Sequence, residues 1–274
     1  MKIILSRKGF DTATGGKPSP ILDNKFISLP IPETGSGIFY RDLIVSEGFT
    51  YEQLMHDLSI TDFQEAHQDP DLRSSMSSRH PDWQPLFGQN GSAQGLLNNS
   101  KVETGDLFLF FGYFKKARRT DNGVRYIHNS KKIHAIFGYL QVERIIDIST
   151  ESILPWIAYH PHVALKTKYQ GQRNVLYVAK KNLSFNPKLP GAGCFEYHKK
   201  LVLTAERGNM SDWELPCCFR NEEKNFNIGV KIRPLENGNL HVQTRGQGQE
   251  IFISSKPEIV EWAQDLISKS KIFF

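Results

Sequence analysis

Two apolar runs separated by a charged stretch constrain the fold most. The first is Leu107-Phe108-Leu109-Phe110-Phe111-Gly112-Tyr113-Phe114, preceded by Gly105-Asp106. The second starts at Ile133-His134-Ala135-Ile136-Phe137-Gly138-Tyr139 and continues through Leu140-Gln141-Val142 to Asp147. From Leu140 apolar and polar residues alternate, as in a half-buried strand. Between the runs, Lys115 to Lys132 is basic and polar and reads as an exposed hairpin tip or flexible loop. The spacing predicts two strands paired antiparallel across that tip.

Ile3 to Leu5 has the length and β-branched content of a buried strand. Phe26 to Pro32 is a short apolar segment closed by Pro30 and Pro32, suited to a sheet edge because proline donates nothing to a ladder. Thr50 and Gln53 have capping-box spacing ahead of Tyr51, Leu54, Met55 and Leu58, which predicts a short amphipathic helix. Residues Phe63 to Gln94 are polar and rich in Pro and Gly, and read as a long loop of the kind that often carries function. A short helix is expected near Ser92–Asn99. Asn174–Ala179 and Leu201–Thr204 read as strands, with a turn at Gly191–Gly193. Trp213–Leu215 ends at Pro216, and Leu240–Thr244 alternates. Gly246–Glu250 leads into Ile251–Ile253. The last helix has Ser255 and Glu258 at capping-box spacing, and its stripe is Ile259, Trp262, Ala263, Leu266 and Ile267. With no internal repeat and no linker, the expected architecture is α+β. It is one unit over residues 1–274 with a mixed or antiparallel twisted sheet or partly closed barrel and flanking helices.

Composition narrows the class. A hydrophobic content of 39% and a charged content of 23% over 274 residues fit an ordinary globular protein. A formal charge of +5 permits contact with nucleic acid but is far below that of a protein that coats DNA. The three cysteines, Cys194, Cys217 and Cys218, include an adjacent pair and no Cys-x-x-Cys, so neither a disulfide framework nor a cysteine zinc site is expected. No apolar run approaches the ~20 residues that span a bilayer. A cytoplasmic protein with no membrane partner, in a bacterium or an infected cell, is the expectation.

Chemistry concentrates at the start of the chain. Ser6, Arg7 and Lys8 follow the first strand directly, where open α/β sheets place ligands. Gly15-Gly16 lets the backbone bend, and Pro18 and Pro20 stiffen its return around Ser19. Two adjacent cations and a glycine-hinged loop suit a phosphate. A core strand with a polar surface turn is the plain alternative. Asp11 is the one carboxylate of this segment and suits a base, a nucleophile or a stabiliser of charge at a sugar carbon; a structural salt bridge is its alternative. His67, Asp69 and Asp71 fall on one side of an extended segment, where they can exchange protons, orient water or bind a cation. A solvated Asx turn beside Pro70 is the alternative. His160 and His162 flank Pro161, with no third metal ligand evident from spacing, so no metal site is assigned. Gln89, Gln94, Gln141 and Gln249 have the side chains that read base edges, although most glutamines are simply exposed. Trp83, Tyr113 and Trp156 can stack on a base, although aromatics are more often core.

Several of these motifs occur together in one known family. They are Ser6-Arg7-Lys8-Gly9-Phe10-Asp11, Gly16-Lys17-Pro18-Ser19-Pro20-Ile21, Ser28-Leu29-Pro30-Ile31-Pro32, His67-Gln68-Asp69-Pro70-Asp71, Phe87-Gly88-Gln89, Ala93-Gln94-Gly95, Gly105 to Gly112, Gly138-Tyr139-Leu140-Gln141 and His160-Pro161-His162. The set resembles the third family of nucleotide-modification-associated domains of phages and bacteria. The resemblance covers most of the chain and implies a link to modified bases or nucleotides without fixing a reaction. The strand pair within residues 102–150 is also similar to PUA-like cores, including EVE and ASCH domains, which read RNA or modified bases. Fold likeness alone does not assign function.

Three functions follow as expectations. The first is an enzyme acting on a nucleobase, a nucleotide or an N-glycosidic bond, in DNA modification or the defence that answers it. Asp11, His67, Asp69 and Asp71 would be catalytic. Ser6, Arg7, Lys8, Gly16, Ser19, Gln89, Gln94 and Gln249 would bind the substrate or its phosphate. The second is a non-catalytic reader of a modified base, with Trp83 or Tyr113 stacking on it. The third is a nuclease that uses Asp69 and Asp71 with a divalent metal. DNA or a nucleotide is the expected partner. A cofactor and a homo-oligomer stay open.

Overall fold

The hairpin forms as its pattern predicts, and its strands extend beyond the apolar runs. In this computed structural model, which describes residues 1–246 and 248–273, the two strands are Leu107–Thr120 and Lys132–Asp147. They pair antiparallel from Leu107↔Gln141 to Lys115↔Lys132, with a register shift between Ile136 and Gly138. The basic segment is not a flexible loop. The first strand runs on to Thr120, and Gly123–Tyr126 folds back on it, pairing Val124 with Arg119. Gln247, in the segment leading to Ile251, lies outside the described residues.

Six strands form the spine of an 11-stranded mixed sheet. They are β1 (Ile3–Arg7), β2 (Leu86–Asn90), β3 (Leu107–Thr120), β4 (Lys132–Asp147), β5 (Asn174–Ala179) and β6 (Glu250–Ser254). The spatial order is β6-β1-β3-β4-β5-β2, and the end strands do not pair, so the sheet is not a closed barrel. Only β1 and β3 run parallel within this spine. Phe87, Phe108, Phe110, Phe111, Phe114 and Tyr177 are buried in its main core. The flanking helices are α1 (Tyr51–Asp57), α2 (Gly91–Asn99), α3 (Pro161–Ala164) and α4 (Pro257–Ser268). A separate three-stranded sheet joins Asp212–Leu215, Leu240–Arg245 and Gly229–Pro234. No helix among the described residues is long and apolar enough to cross a membrane.

Several local expectations hold and several change. Thr50 and Gln53 make the capping box of α1. Ile259, Ala263, Leu266 and Ile267 are the buried stripe of α4, and Trp262 at its margin packs on Phe219. That helix starts at Pro257 behind Lys256, so Ser255 does not cap it; a proline at the first position has no N–H to satisfy. The polar stretch 63–94 is not one loop, because β2 lies in it with Leu86 to Gln89 buried. Ala192–Phe195 is a strand against β4 rather than a turn. The expected strand Leu201–Thr204 is reduced to two isolated bridges, Val202 to Ala135 and Thr204 to Trp213, after Leu201 closes a short 3-10 helix.

One topological detail positions the candidate site. β1 pairs with β3 from Ile3↔Leu107 to Arg7↔Phe111 and then leaves the sheet. The strand Ser19–Leu22 takes over the same edge of β3 from Ser19↔Phe114. The intervening chain, Gly9 to Pro18, bulges out of the sheet and opens a gap at the carboxyl end of β1.

A buried histidine in β4 makes the fold acid-sensitive. His134 Nδ1 accepts a hydrogen bond from Trp213 Nε1 (3.1 Å), which requires a neutral ring. Burial, with Arg7 nearby, pushes its pKa from 6.5 down to about 4. The unfolded chain therefore binds more protons between those values. The stability is intact above pH 6.5 and falls as the pH drops towards 4, by up to about 3 kcal/mol. Calorimetric Tm measured from about pH 7 to 4 is expected to fall less for His134→Gln than for the parent. Parallel curves would remove His134 as the source.

Candidate functional site

Lys8 continues β1 by one residue, donating its N–H to Phe111 O (2.9 Å). Gly9 then turns the chain at φ +76°, and a Cβ there would lie 2.5 Å from Ser28 Oγ. Lys8 thus points its ammonium inward, 4.2 Å from the centre of the Phe87 ring and 4.0 Å from Asp69 Oδ2. The charge is buried with its chain stem, so it requires carboxylates around it.

Two carboxylates answer it. Asp69 follows the short strand Ala66–His67, which pairs with Ile31–Pro32, and its peptide bond to Pro70 is cis. Asp69 Oδ1 accepts the Gly88 N–H (2.6 Å) and faces His160 Nε2 at 3.5 Å. Burial alone would raise the carboxyl pKa; His160, Lys8 and His162 outweigh it and hold the group well below the usual range. Asp69 is therefore ionised at neutral pH. Glu250, on β6, is also buried, accepting from Ser6 Oγ (3.0 Å) and Gln89 Nε2 (2.6 Å). Burial pushes its pKa up against the opposing pull of Lys8.

Three imidazoles surround Asp69. His160 caps α3, its Nδ1 accepting the His162 N–H (3.4 Å), which leaves the Nε2 proton facing Asp69. His162 Nδ1 lies 2.6 Å from Asn174 Oδ1, while Asn174 Nδ2 donates to His162 O (2.7 Å). That amide orientation makes Oδ1 the acceptor, so His162 carries its proton on Nδ1 and a lone pair on Nε2. Burial pushes the His162 pKa down to about 3, so the ring stays neutral. It stacks on Tyr169 at 5.1 Å and meets the edge of His67 at 5.1 Å. His67 Nδ1 faces Glu33 Oε2 at 3.6 Å, and Glu33 pairs with Lys168 at 2.6 Å. His67 first, and then Lys168, draw the Glu33 pKa down to about 2.

Gly88 organises two of these groups at once. Its N–H holds Asp69, and a Cβ on it would stand 2.3 Å from His162 Cδ2. Gly88→Ala is expected to displace the His162 ring and cost about 1–3 kcal/mol through overpacking. A thermal melt would show a Tm several degrees lower, and an unchanged Tm would mean that the ring has room to move.

A cleft of about 260 Å³ opens at the gap beside β1, with His160, Glu250 and Asn174 behind its walls. Of the residues singled out in the sequence, Arg7, Lys8, Asp11, His67, Asp69, Gln89 and Gln249 line it. His162 lines it as well, joined by Glu33, Lys168 and Tyr169, which sequence reasoning misses. No motif marks these three, and only the fold of the 27–40 and 161–172 segments brings them in. Arg7 donates to Gly248 O (2.7 Å). Asp11 is partly committed, because its Oδ1 accepts the N–H groups of Ala13 (2.8 Å) and Thr14 (2.6 Å).

The remaining candidates lie elsewhere. Asp71 is fully buried in its own network, accepting two bonds from Arg79 (2.7 and 2.6 Å) and others from Gln68, Trp83 and Tyr159. Asp69 and Asp71 therefore do not share a site: the chain turns at Pro70, and Arg79 neutralises Asp71. Ser6 sits behind the cleft on Glu250. Ser19 Oγ accepts the Leu29 N–H (3.0 Å) and braces the turn. Gly16 has open space around it and does not line the cleft. Gln94 is buried against Tyr177 and Asn98. Gln141 is buried between Gly105 O and Ser184. Tyr113 is buried in the sheet, and Trp83 stacks on Arg79 at 4.3 Å, so neither borders the cleft as a base platform.

A wider groove of about 1010 Å³ runs past Lys199 and Lys269, but these pair with Glu206 (3.6 Å) and Asp265 (2.6 Å). Its chemistry is that of a solvated surface, and the smaller cleft holds the buried ionised groups.

Fold and site together define an α+β protein with a carboxylate, a lysine and three imidazoles gathered where a strand leaves a mixed sheet. The family follows from the sequence: the model of nucleotide modification associated domain 3 matches residues 2–254, and the chain belongs to that family. A search of curated proteins returns no match, and neither does a search of solved structures.

Proposed function

We propose that the cleft beside β1 is an active site that acts on a nucleobase, a nucleotide or its N-glycosidic bond, in the modification of DNA or the response to it. The observation that carries this is Asp69: a buried carboxylate kept ionised by Gly88, His160 and Lys8 at the wall of an accessible cleft. Such a group accepts a proton or stabilises positive charge developing at a sugar carbon. His160 orients it, and Lys8 supplies a cation for negative charge that builds up on a leaving base. Arg7 and Lys168 at the same cleft suit the phosphate of a nucleotide, and Gln249 suits a base edge, whereas the Gln89 amide is held by Glu250 and the Asn90 N–H. Membership of a nucleotide-modification family agrees in substrate class. The reader alternative has less support, because Trp83 and Tyr113 lie away from the cleft.

Binding tests this assignment independently of the reaction. Titration calorimetry is expected to show a nucleoside monophosphate binding more tightly than the matching nucleoside, with the advantage shrinking at high salt. Arg7→Gln is expected to weaken the monophosphate about 10-fold, through one lost charge-assisted contact. Equal affinities for nucleoside and monophosphate would remove Arg7 and Lys168 as phosphate ligands.

A further inference from the structure

We propose that His67, Asp69 and His162 form a binding site for one divalent transition-metal ion, with its open coordination positions facing the cleft. The site rests on the same cleft as the functional assignment above and deepens it: with an ion held, Asp69 would serve as its ligand in place of accepting the proton. One ligand atom from each residue lies within 4.8 Å of the others, and all three residues are buried. Around a zinc ion with bonds of about 2.1 Å, tetrahedral donors stand about 3.4 Å apart. Side-chain adjustments of about an ångström or less therefore close the set.

Three features of the surroundings point to a ligand rather than to packing. First, the Asn174 clamp puts the His162 proton on Nδ1, so its Nε2 carries a lone pair. Second, His67 Nδ1 is buried with no hydrogen-bond partner among the described residues, as is His160 Nε2, and turns towards Glu33 Oε2 at 3.6 Å. A carboxylate behind the imidazole is the outer-shell arrangement that orients histidine ligands and raises their basicity. Third, Asp69 Oδ1 accepts the Gly88 N–H and is faced by His160 Nε2 at 3.5 Å, which leaves Oδ2 as the oxygen for an ion.

Charge decides whether an ion is welcome. Lys8, 4.0 Å from Asp69 Oδ2, and Lys168, paired to Glu33, oppose it. Asp69 and Glu33 balance those two lysines, Glu250 lies behind Lys8, and Asp11 adds a further carboxylate at the cleft. The donor set selects the ion. Two imidazoles and one carboxylate suit Zn²⁺, Fe²⁺ or Co²⁺, whereas Mg²⁺ and Ca²⁺ prefer oxygen ligands. Three protein ligands leave positions for water or a substrate oxygen, as open metal sites do.

Chelator-treated protein, reloaded with Co²⁺ and followed by visible absorption, tests the site. One equivalent of Co²⁺ is expected to bind and to be displaced by Zn²⁺. His162→Gln and Asp69→Asn are each expected to weaken Co²⁺ at least about 10-fold, and Asn174→Ala about 10–100-fold. X-ray absorption of the Zn²⁺-loaded parent is expected to show two imidazole shells, a result that depends on no variant. Failure to bind one equivalent, or a Zn²⁺ shell without imidazole, overturns the site. Binding is read without turnover, so its outcome is separate from that of the proposed reaction. A metal-loaded protein that alters no nucleotide would sink the reaction and leave the site. Turnover by metal-free protein that binds no Co²⁺ would do the reverse.

Discussion

Replacing Asp69 with Asn is expected to reduce turnover by about 10²–10⁴-fold while leaving a folded protein. The amide keeps a carbonyl oxygen for the Gly88 N–H, so the backbone of β2 stays in place. What disappears is the negative charge. An amide cannot take a proton at neutral pH, and it cannot stabilise a cation. The buried Lys8 ammonium also loses its partner at 4.0 Å, and His160 Nε2 loses the anion it faces. The stability cost is about 1–3 kcal/mol, the range for a weakened buried polar contact. Steady-state rates and melts on the same preparation separate the effects. A rate close to the parent's would take Asp69 out of the chemistry.

The largest stability loss is expected around the next carboxylate in the chain, Asp71. Arg79→Ala removes the guanidinium that gives Asp71 two short bonds, 2.7 and 2.6 Å. Asp71 has no exposed surface, so the mutation leaves a buried charge with Gln68, Trp83 and Tyr159 as its remaining donors. Breaking such a pair costs about 3–5 kcal/mol. The Tyr159 hydroxyl depends on the same carboxylate, and burial beside Asp71 pushes its pKa far up. Denaturant unfolding is the measurement, with the midpoint expected to fall and the slope to stay constant. Protein that remains folded is expected to keep its rate, because Asp71 and Arg79 do not line the cleft. A rate loss as large as that of Asp69→Asn, in folded protein, would place Asp71 in the mechanism.

That contrast bears on what the chain's pattern reveals and what it hides. The hairpin of β3 and β4, helix α1 and the stripe of α4 are legible, because each is a local periodicity that the core enforces. β2 is not, since Leu86-Phe87-Gly88-Gln89 carries only two apolar residues in a polar stretch. Its burial comes from pairing with β5, far along the chain. Lys8 and Asp69 are legible as chemistry, and their meeting is not, because the whole of the intervening chain from Gly9 to Gln68 separates them. His67, Asp69 and Asp71 share a period-two spacing, which suggests one face, yet Asp71 ends in the Arg79 network. His160 and His162 are visible as a pair without a third ligand. The groups that gather on His162, namely Asp69 and His67, come from a segment about 90 residues earlier in the chain. Glu33, Lys168 and Tyr169 belong to no motif, and loop packing alone delivers them. The polar motifs that turn inward, Ser6, Ser19 and Gln94, show why polar residues near a site are ambiguous in sequence: a buried carboxylate, backbone N–H or hydroxyl needs them as partners.

If Asp69 in the cleft beside β1 drives a reaction on a nucleobase or nucleotide, the products carry the proof. Mass spectrometry of nucleosides reads them most directly, using ordinary DNA, hypermodified phage DNA and free nucleotides incubated with the parent protein or Asp69→Asn. A nucleoside mass gained or lost with the parent, and absent with Asp69→Asn, is the expected result. An identical product pattern from both proteins, or no change in any DNA or nucleotide, would contradict it.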